Sequence, residues 1–265
     1  MLPSIKKKLA LQWTFFKLSA IADLQVSVNL GIQFINDILW YLLQIVLFEA
    51  LYLNVSSLGG WGIAEMRVFL GVLFLVDAFQ MIFFAYNFDV FSEKIAKRDL
   101  DLILLRPMSS QQVMTAQRLQ CSFILNALFA FFWLFWSLSL LPQGLSWTHF
   151  LLILIVVPAG LAVFYSTRLI VCTVALLLTR AEHFYELYWT VFRMGQRPDR
   201  LYGPGLRYFI LLVFPVGMIA SVPTRVLLNP WDGFALPMLI LGATASLFVA
   251  NRFWNWSVKR YMMIG

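Results

Sequence analysis

Charged residues are scarce in this chain. Asp, Glu, Lys and Arg make up only 12% of its 265 residues, whereas soluble domains carry about 25%. Hydrophobic residues make up 61%, and the mean hydropathy is +0.80. So little charge cannot cover the surface of a soluble globule. The composition therefore excludes a soluble domain and predicts an integral membrane protein.

Residues that carry out chemistry are also few. The two cysteines, Cys121 and Cys172, each lie inside an apolar run, which excludes a disulfide framework and a Cys-based metal site. The two histidines, His149 and His183, form no H-E-x-x-H motif, and the chain has no G-x-x-x-x-G-K-[ST] motif for binding nucleotide phosphates. We therefore predict that this chain is not an enzyme and holds no metal and no cofactor.

The net charge of +7 would suggest a nucleic-acid partner in a soluble protein. Here no cluster of basic and aromatic residues outside the apolar stretches resembles a nucleic-acid reader, so we predict no such partner. The partner that the composition does indicate is membrane lipid. Aromatic residues at 17%, including ten Trp, are typical of a protein with two membrane interfaces.

Six apolar stretches are long enough to cross a membrane. They cover about 27–52, 65–88, 111–141, 148–178, 206–228 and 235–257. The third and fourth exceed the length that a bilayer requires, so we expect them to tilt or to project from it. The predicted fold is a single all-α transmembrane domain over residues 1–265.

Residues 1–24 precede the first span and differ from it in pattern. Ile5, Leu9, Trp13, Phe16 and Ala20 form one apolar stripe, and Lys6, Lys7 and Lys17 lie off it. This pattern predicts an amphipathic helix that lies in the membrane surface. A signal peptide is disfavoured because Gln12 and Lys17 interrupt the apolar core that such a peptide needs.

Lys and Arg are concentrated in the segments that a six-span chain places on one side. Those segments hold Lys6, Lys7, Lys8, Lys17, Lys94, Lys97, Arg98, Arg106, Arg180, Arg193, Arg197, Arg200, Arg207, Lys259 and Arg260. The opposite ends hold only Arg67 and Arg225. Because cytoplasmic loops are rich in Lys and Arg, we predict that both termini are cytoplasmic. The larger cytoplasmic loops would be 89–110 and 179–205.

The segment 89–110 mixes charged and apolar residues between the second and third spans. It reads "DVFSEKIAKRDLDLILLRPMSS", in which Pro107 ends any helix before it. Such a segment predicts a short cytoplasmic helical element with a charged face and an apolar face. The apolar residues Leu102–Leu105 either pack under the bundle or contact another protein, and the charges either contact that protein or are solvated.

The run from Ile95 to Pro107, "IAKRDLDLILLRP", resembles the segment after the second span in ABC-2 type permeases, the membrane subunits of type-2 ABC exporters. The closer likeness is to a six-span branch of that family. Arg98 stands where that branch has Gly, and Asp99 where it has Glu. The stretches "LGGWG" at 58–62, "RMGQRPDRLYGPGLRYFILLVFPVGMIASVP" at 193–223 and "WSVKRY" at 256–261 extend the resemblance in the same order.

The resemblance implies an ATP-driven exporter in a bacterial plasma membrane. The pathway would form between this permease and a second one, identical or homologous. Two copies of a separate cytosolic ATPase, which binds ATP and Mg, would drive it. The segment 91–107 would be the coupling helix that docks on the ATPase. The predicted contact residues are Glu93, Lys97, Asp99, Asp101, Arg106 and Pro107.

Polar residues recur along one face of the first span. Asn29, Gln33, Asp37, Tyr41 and Gln44 follow one another at helical spacings of three or four residues. Polar groups at membrane depth are costly and often functional. The stripe predicts either the lining of a translocation path between two permeases or a face that is hydrogen-bonded to neighbouring helices.

Asp77 and Arg168 are the most conspicuous charges inside the predicted spans. Each lies 12 residues before a charge at the inner end of its span, so both are expected at about 18 Å from that end. The pattern predicts an intramembrane ion pair, either a structural lock or a transport switch. Asp37 is an alternative partner for Arg168.

Two other functions remain open at the level of sequence. An ion- or proton-coupled secondary transporter would use Asp37, Asp77 and Arg168, but the chain has no inverted repeat. A membrane enzyme acting on lipids would use Glu182, His183 and Glu186. Drugs, lipids, peptides and glycans all remain candidate substrates. The small outside loops favour an amphipathic molecule.

Overall fold

The computed structural model describes residues 17, 27–96, 99–104, 109–177, 182–229 and 232–264. These residues form helices and short connections, and no strand occurs among them apart from an isolated bridge between Leu58 and Trp61. The helices in chain order are α1 (Ser27–Tyr52), α2 (Ile63–Gln80), α3 (Tyr86–Asp89), α4 (Phe91–Ala96), α5 (Asp99–Leu104), α6 (Ser110–Ala116), α7 (Ile124–Ser139), α8 (Trp147–Leu177), α9 (Glu182–Gly195), α10 (Pro204–Tyr208), α11 (Gly217–Leu228) and α12 (Ala235–Ile264).

Five helical stretches in this described part are long and apolar enough to cross a membrane, which confirms the all-α membrane class. They are Gly31–Tyr52, Ile63–Asp89, Cys121–Ser139, Trp147–Leu177 and Ala235–Met263. A sixth candidate is the pair Pro204–Val213 and Gly217–Leu228, bent by 98°. The predicted interfacial helix at 1–24 lies outside the described residues, except for Lys17, which is helical and exposed.

The second span lies at the centre of the bundle. Residues on nearly every face of α2 are buried, from Met66 to Ala78, and α1, α7, α8 and α11 pack around it. Helices in lipid associate chiefly by close packing, which small residues permit. A Cβ on Gly71 of α2 would stand 2.8 Å from the Cα of Leu134 in α7, so only glycine allows these two helices to approach as they do.

The bundle has two ends that can be defined by their loops. The loop 53–62 joins α1 to α2 at one end, which we call the 53–62 end. The C-terminal part of α7 reaches the same end, because Trp133 Nε1 donates to the carbonyl oxygen of Arg67. At the opposite end, the 90–104 end, Phe91 packs edge-on against Trp254 of α12. The C-terminal part of α12 therefore lies beside α4.

The predicted third span, 111–141, is not one continuous helix. It consists of α6, a break at 117–120, a 3₁₀ turn at Cys121–Phe123 and α7. The second span satisfies the backbone at this break. The Asn87 side chain bonds both the carbonyl and the N–H of Arg118, at 2.6 and 3.0 Å. A π-helical turn at Met81–Ala85 offers the Ile82 carbonyl, which accepts from the Gln120 N–H at 2.9 Å.

The predicted cytoplasmic loop 179–205 instead contains α9, which packs against α8 and α11. Its Tyr188 and Phe192 are 2% and 4% exposed, and Phe192 lies edge-on to Phe164 of α8. The chain then continues to Arg200, whose Cβ would be 3.0 Å from a Cβ on Gly59. Since Gly59 belongs to the loop 53–62, the segment 182–200 runs from the 90–104 end to the 53–62 end.

The predicted fifth span, 206–228, is corrected by the same geometry. Arg207 and Arg225 both contact the buried carboxylate of Asp199. A straight helix would place residues 18 positions apart about 27 Å from each other, too far for one carboxylate to reach both. The bent pair therefore enters and leaves at the 53–62 end. In the structure Arg200 and Arg207 therefore lie at the 53–62 end, which differs from the cytoplasmic loop that the sequence predicts for them.

Candidate functional site

The polar face of α1 points into the bundle. Tyr41 is 1% exposed, and Gln33, Asp37 and Gln44 are half-buried, whereas Leu39 and Leu43 on the opposite face are largely exposed. The residues that the helical spacing places on one face of α1 therefore lie on its more buried face in the structure. The side chain of Asn29 lies outside the described residues.

Hydrogen bonds tie two acidic residues of this region to neutral partners. Asn126 Nδ2 of α7 donates to Asp37 Oδ2 at 2.9 Å. Tyr41 Oη donates to Asp77 Oδ2 at 3.1 Å, and Gln80 Nε2 donates to Asp77 Oδ1 at 3.3 Å. Stacking holds Tyr41 in place, since its ring lies 4.3 Å from that of Phe74. Three helices thus position the two carboxylates.

A cavity of about 470 Å³ opens beside these carboxylates. Asp37 and Tyr41 of α1, Asp77 of α2, and Trp189 and Phe192 of α9 contribute to its wall. The volume falls in the range of small-molecule sites in proteins. Gln33 and Gln44 of the predicted stripe are not part of this wall, so the structure brings only the middle of the stripe to the cavity.

The predicted ion pair between Asp77 and Arg168 is wrong. Arg168 Nη2 instead donates to Asp89 Oδ1 at 2.7 Å, while Asp77 accepts from Tyr41 and Gln80. Asp89 lies 12 residues beyond Asp77, about 18 Å along the helix. The prediction assumed that the two spans end at the same level. In fact α8 continues for nine residues after Arg168, well past the end of α3.

Aromatic rings surround the guanidinium of Arg168. Its Cζ lies 5.3 Å from the ring centroid of Phe88, 5.8 Å from that of Tyr188 and 5.2 Å from that of Trp189. Arg168 is 2% exposed, so the cation lies in an environment where ring faces and one carboxylate replace water. This arrangement, the Arg168 cage, joins α3, α8 and α9.

The segment predicted to dock on an ATPase is anchored on one side and exposed on the other. Phe91 and Ile103 are buried in a cluster with Trp254, whereas Leu102 is 62% exposed. Glu93 and Asp101 are exposed, and Tyr261 Oη donates to Asp101 at 3.0 Å. The side chain of Asp99, and Lys97, Arg106 and Pro107 altogether, lie outside the described residues.

Asp199 organises the turn between α9 and the bent pair. Its carboxylate is completely buried and contacts two guanidiniums, with Arg207 Nε at 2.7 Å and Arg225 as the second partner. Its backbone N–H donates to Ser221 Oγ at 3.1 Å. A buried carboxylate with two cationic partners is a structural clamp.

Residues proposed for a lipid-acting enzyme do not form a described site. Glu186 is exposed, and the side chains of Glu182 and His183 lie outside the described residues. His149 is buried and accepts the Ser146 N–H through Nδ1 at 3.0 Å, as expected of a helix-start residue. Among the residues that the structure describes, no group of three or more His, Cys, Asp or Glu is placed to hold a metal ion.

Sequence reasoning missed Trp189, Phe192 and Asn126 as part of this region. The charged residues of α9 lower the mean hydropathy of this segment, so the sequence predicts a loop there. The available signal was an amphipathic pattern, with Tyr188, Trp189 and Phe192 on one face of a helix. Asn126 lies within an apolar, aromatic run, where one amide does not change the prediction of a membrane span.

Apolar helices long enough to cross a membrane, with a partly open cavity whose wall holds Asp37 and Asp77, define a multi-pass membrane protein with a polar site among its helices. The chain belongs to the ABC-2 family transporter proteins, a family that matches residues 38–265. No curated protein and no solved structure gives a significant match. The chain is thus a multi-pass permease of an ABC-type transporter, a class that works with an ABC ATPase.

Proposed function

We propose that this chain is a permease subunit of an ATP-driven exporter in a bacterial plasma membrane. It forms the translocation path with a second permease, identical or homologous. Two copies of a separate cytosolic ATPase bind ATP and Mg and drive the cycle. Both termini are cytoplasmic. Family membership supports the transport class, and the segment 89–110 carries the proposed coupling.

The observation that carries the coupling proposal is the two-sided packing of α4 and α5. Buried Phe91 and Ile103 fix the segment to the bundle, so a force applied to it reaches the spans. Leu102 is largely exposed and follows the exposed Asp101 in the chain, and Glu93 of α4 is also exposed. An exposed apolar residue flanked by charges is typical of a surface that binds another protein.

The distribution of Lys and Arg supports a cytoplasmic location for the 90–104 end. Lys94, Lys259 and Arg260 lie at this end, and the connections that start from it also contain Lys97, Arg98, Arg106 and Arg180. The arginines of the 53–62 end are largely held by carboxylates: Arg67 by Glu49, and Arg207 and Arg225 by Asp199. Arg193, Arg197, Arg200 and Arg207 all move to that end with the segment 182–207, and the bias keeps the same direction, because 11 Lys and Arg remain on the predicted cytoplasmic side against 6 at the 53–62 end.

Affinity purification tests the proposal. The tagged chain is extracted in mild detergent from its own host, and co-purifying proteins are identified and counted by native mass spectrometry. We expect a stoichiometric ABC ATPase and two permeases for each pair of ATPases. A chain that repeatedly purifies alone, or transport in vesicles that needs an ion gradient and no ATP, would contradict the proposal.

Matched variants locate the ATPase contact. The double variant Asp99→Lys with Asp101→Lys is expected to lose the ATPase while keeping its elution volume and melting temperature. Tyr261→Phe removes the hydrogen bond to Asp101 but leaves the carboxylate exposed, so it is expected to retain the ATPase. If Tyr261→Phe loses the ATPase equally, the acidic residues act by holding α5 in place and not by contact.

A further inference from the structure

The cavity beside α1, α2 and α9 lies near the middle of the spans and is open on one side, where the exposed Asn36, Leu39 and Leu43 line it. Asp77 is 14 residues from the start and 12 residues from the end of the span Ile63–Asp89, so its carboxylate is near the middle of the membrane. A cavity of about 470 Å³ at this depth is large enough for a small organic molecule. The composition of its wall indicates which kind.

The charge of the wall is acidic. Asp37 and Asp77 both line the cavity, and no Lys, Arg or His is among the described side chains that do so. The partners of the two carboxylates are the neutral groups of Asn126, Tyr41 and Gln80. Neutral donors orient a carboxylate but do not cancel its charge. A cation in the cavity would supply the missing counter-charge, and its attraction to the carboxylates would be strong because the dielectric constant there is low.

Two buried amides beside these carboxylates also lack a donor. Gln80 and Asn126 each use their NH₂ group on a carboxylate, and their oxygens, Gln80 Oε1 and Asn126 Oδ1, are buried without a hydrogen-bond partner. Each residue is only 1% exposed. Unsatisfied buried acceptors are costly. The unmet hydrogen-bonding capacity of these two amides is thus for donors or positive charge, which is an observation separate from the carboxylates.

The wall also holds four aromatic rings, beside the apolar Leu39, Leu43 and Met81 and the amides of Asn36 and Gln196. Trp40, Tyr41, Trp189 and Phe192 line the cavity from two sides, two of them on α1 and two on α9. Indole and phenyl faces attract cations and also accept apolar groups. An inorganic cation would bind the side-chain oxygens and leave these rings without a partner, and anions would be repelled by the carboxylates.

We propose that this cavity is the binding site of an amphipathic organic cation, such as a lipophilic amine or a quaternary ammonium compound. The positive centre lies between Asp37 and Asp77, and the apolar groups contact the four rings. Only the statement that this ligand is the transported substrate rests on the proposed transport function. Binding itself needs no ATPase.

Two probes of the same shape and opposite charge test the assignment. Equilibrium binding of tetraphenylphosphonium and of tetraphenylborate is measured on the purified protein in the assembly in which it is isolated. We expect saturable binding of tetraphenylphosphonium and no saturable binding of tetraphenylborate. Equal binding of the two probes would mean that the cavity selects apolar shape only and would overturn the proposal.

Variants place the site. Asp77→Asn keeps an acceptor for Tyr41 and should weaken tetraphenylphosphonium binding about tenfold or more, since it removes one charge from the wall. Trp40→Leu should weaken it by a smaller factor. Asp232→Asn, at an exposed position far along the chain, should not change it. Unchanged affinity in an Asp77→Asn protein that elutes and melts like wild type would overturn the proposal.

The two proposals fail separately. Selective cation binding in a chain that purifies without an ATPase would refute the exporter and leave the site. An ATPase complex that binds neither probe, or binds both alike, would refute the site and leave the exporter.

Discussion

Trp189 contacts both Arg168 and the cavity that contains Asp77. Its ring centroid lies 5.2 Å from Cζ of Arg168, and its side chain forms part of the cavity wall. Arg168 in turn is paired with Asp89, the residue at which the second span ends before α4. One indole thus connects the base of the coupling segment with the wall of the proposed binding site.

The Arg168 cage gives the first prediction. Arg168→Lys keeps the charge but loses the planar guanidinium that contacts three rings, so the melting temperature of the purified protein should fall by about 3–8 °C. Arg252→Lys is the matched control, because Arg252 also lies over one ring, that of Phe248, but is exposed. Equal shifts in the two variants would mean that the cage contributes no more than a surface contact.

The second prediction concerns Asp199. Asp199→Asn removes the carboxylate shared by Arg207 and Arg225 and leaves a nearly buried guanidinium uncompensated, because Arg225 is only 14% exposed. We expect destabilisation of about 3 kcal/mol, measured by denaturation in detergent. Asp232→Asn changes an exposed carboxylate that accepts one backbone N–H, and its effect should be small. Wild-type stability of Asp199→Asn would show that the clamp is unimportant.

Close approach of α8 and α11 gives the third prediction. A Cβ on Gly160 would stand 2.7 Å from the carbonyl oxygen of Ile219, and backbone cannot move aside as a side chain can. Gly160→Ala should therefore destabilise the protein by about 1–3 kcal/mol. Gly31→Ala, in an equally helical position with nothing within 4 Å, should be neutral or slightly stabilising. A neutral Gly160→Ala would contradict the packing.

The fourth prediction tests the path of the chain after α8. Single cysteines are introduced as Arg200→Cys, Asn54→Cys and Lys259→Cys in a variant without Cys121 and Cys172, and cells are treated with a membrane-impermeant maleimide. Cysteines at 200 and 54 should react from the same side, and the cysteine at 259 from the other. Labelling of 200 together with 259 would restore the cytoplasmic loop that the sequence predicted.

Hydropathy predicted helices that match α1, α2 with α3, and α8 to within a few residues, whereas α12 continues seven residues beyond the predicted end at 257. It failed at the break at 117–120, although Gln117, Arg118 and Gln120 interrupt the apolar residues there, because the groups that satisfy the broken backbone, Asn87 and a π-helical turn, lie on another span. Neither is visible as a local pattern. The same limit applies to α9, whose charged residues lie on one face while Tyr188 and Phe192 lie on the buried face.

Residue spacing predicted which face of α1 turns inward but not what that face contacts. The positions of Asp37 and Tyr41 follow from the helical period alone. Their neighbours, Asn126 and Asp77, depend on how three helices are aligned along their axes. The failed pairing of Asp77 with Arg168 has the same origin, since the sequence does not specify how far α8 extends beyond the second span. Whether the stripe lines a transport path stays a prediction.

The bent pair has a consequence for the parity of the topology. If a crossing at 182–200 replaces one at 206–228, the expected number of crossings stays even. The expectation that both ends of the chain lie on one side therefore does not depend on which segment is the fifth crossing. The side of the membrane on which a terminus lies depends on the total number of crossings. The side on which a loop arginine lies depends only on where the nearest crossing ends. This is why the structure places Arg200 and Arg207 differently from the sequence without altering the expectation for the two ends of the chain.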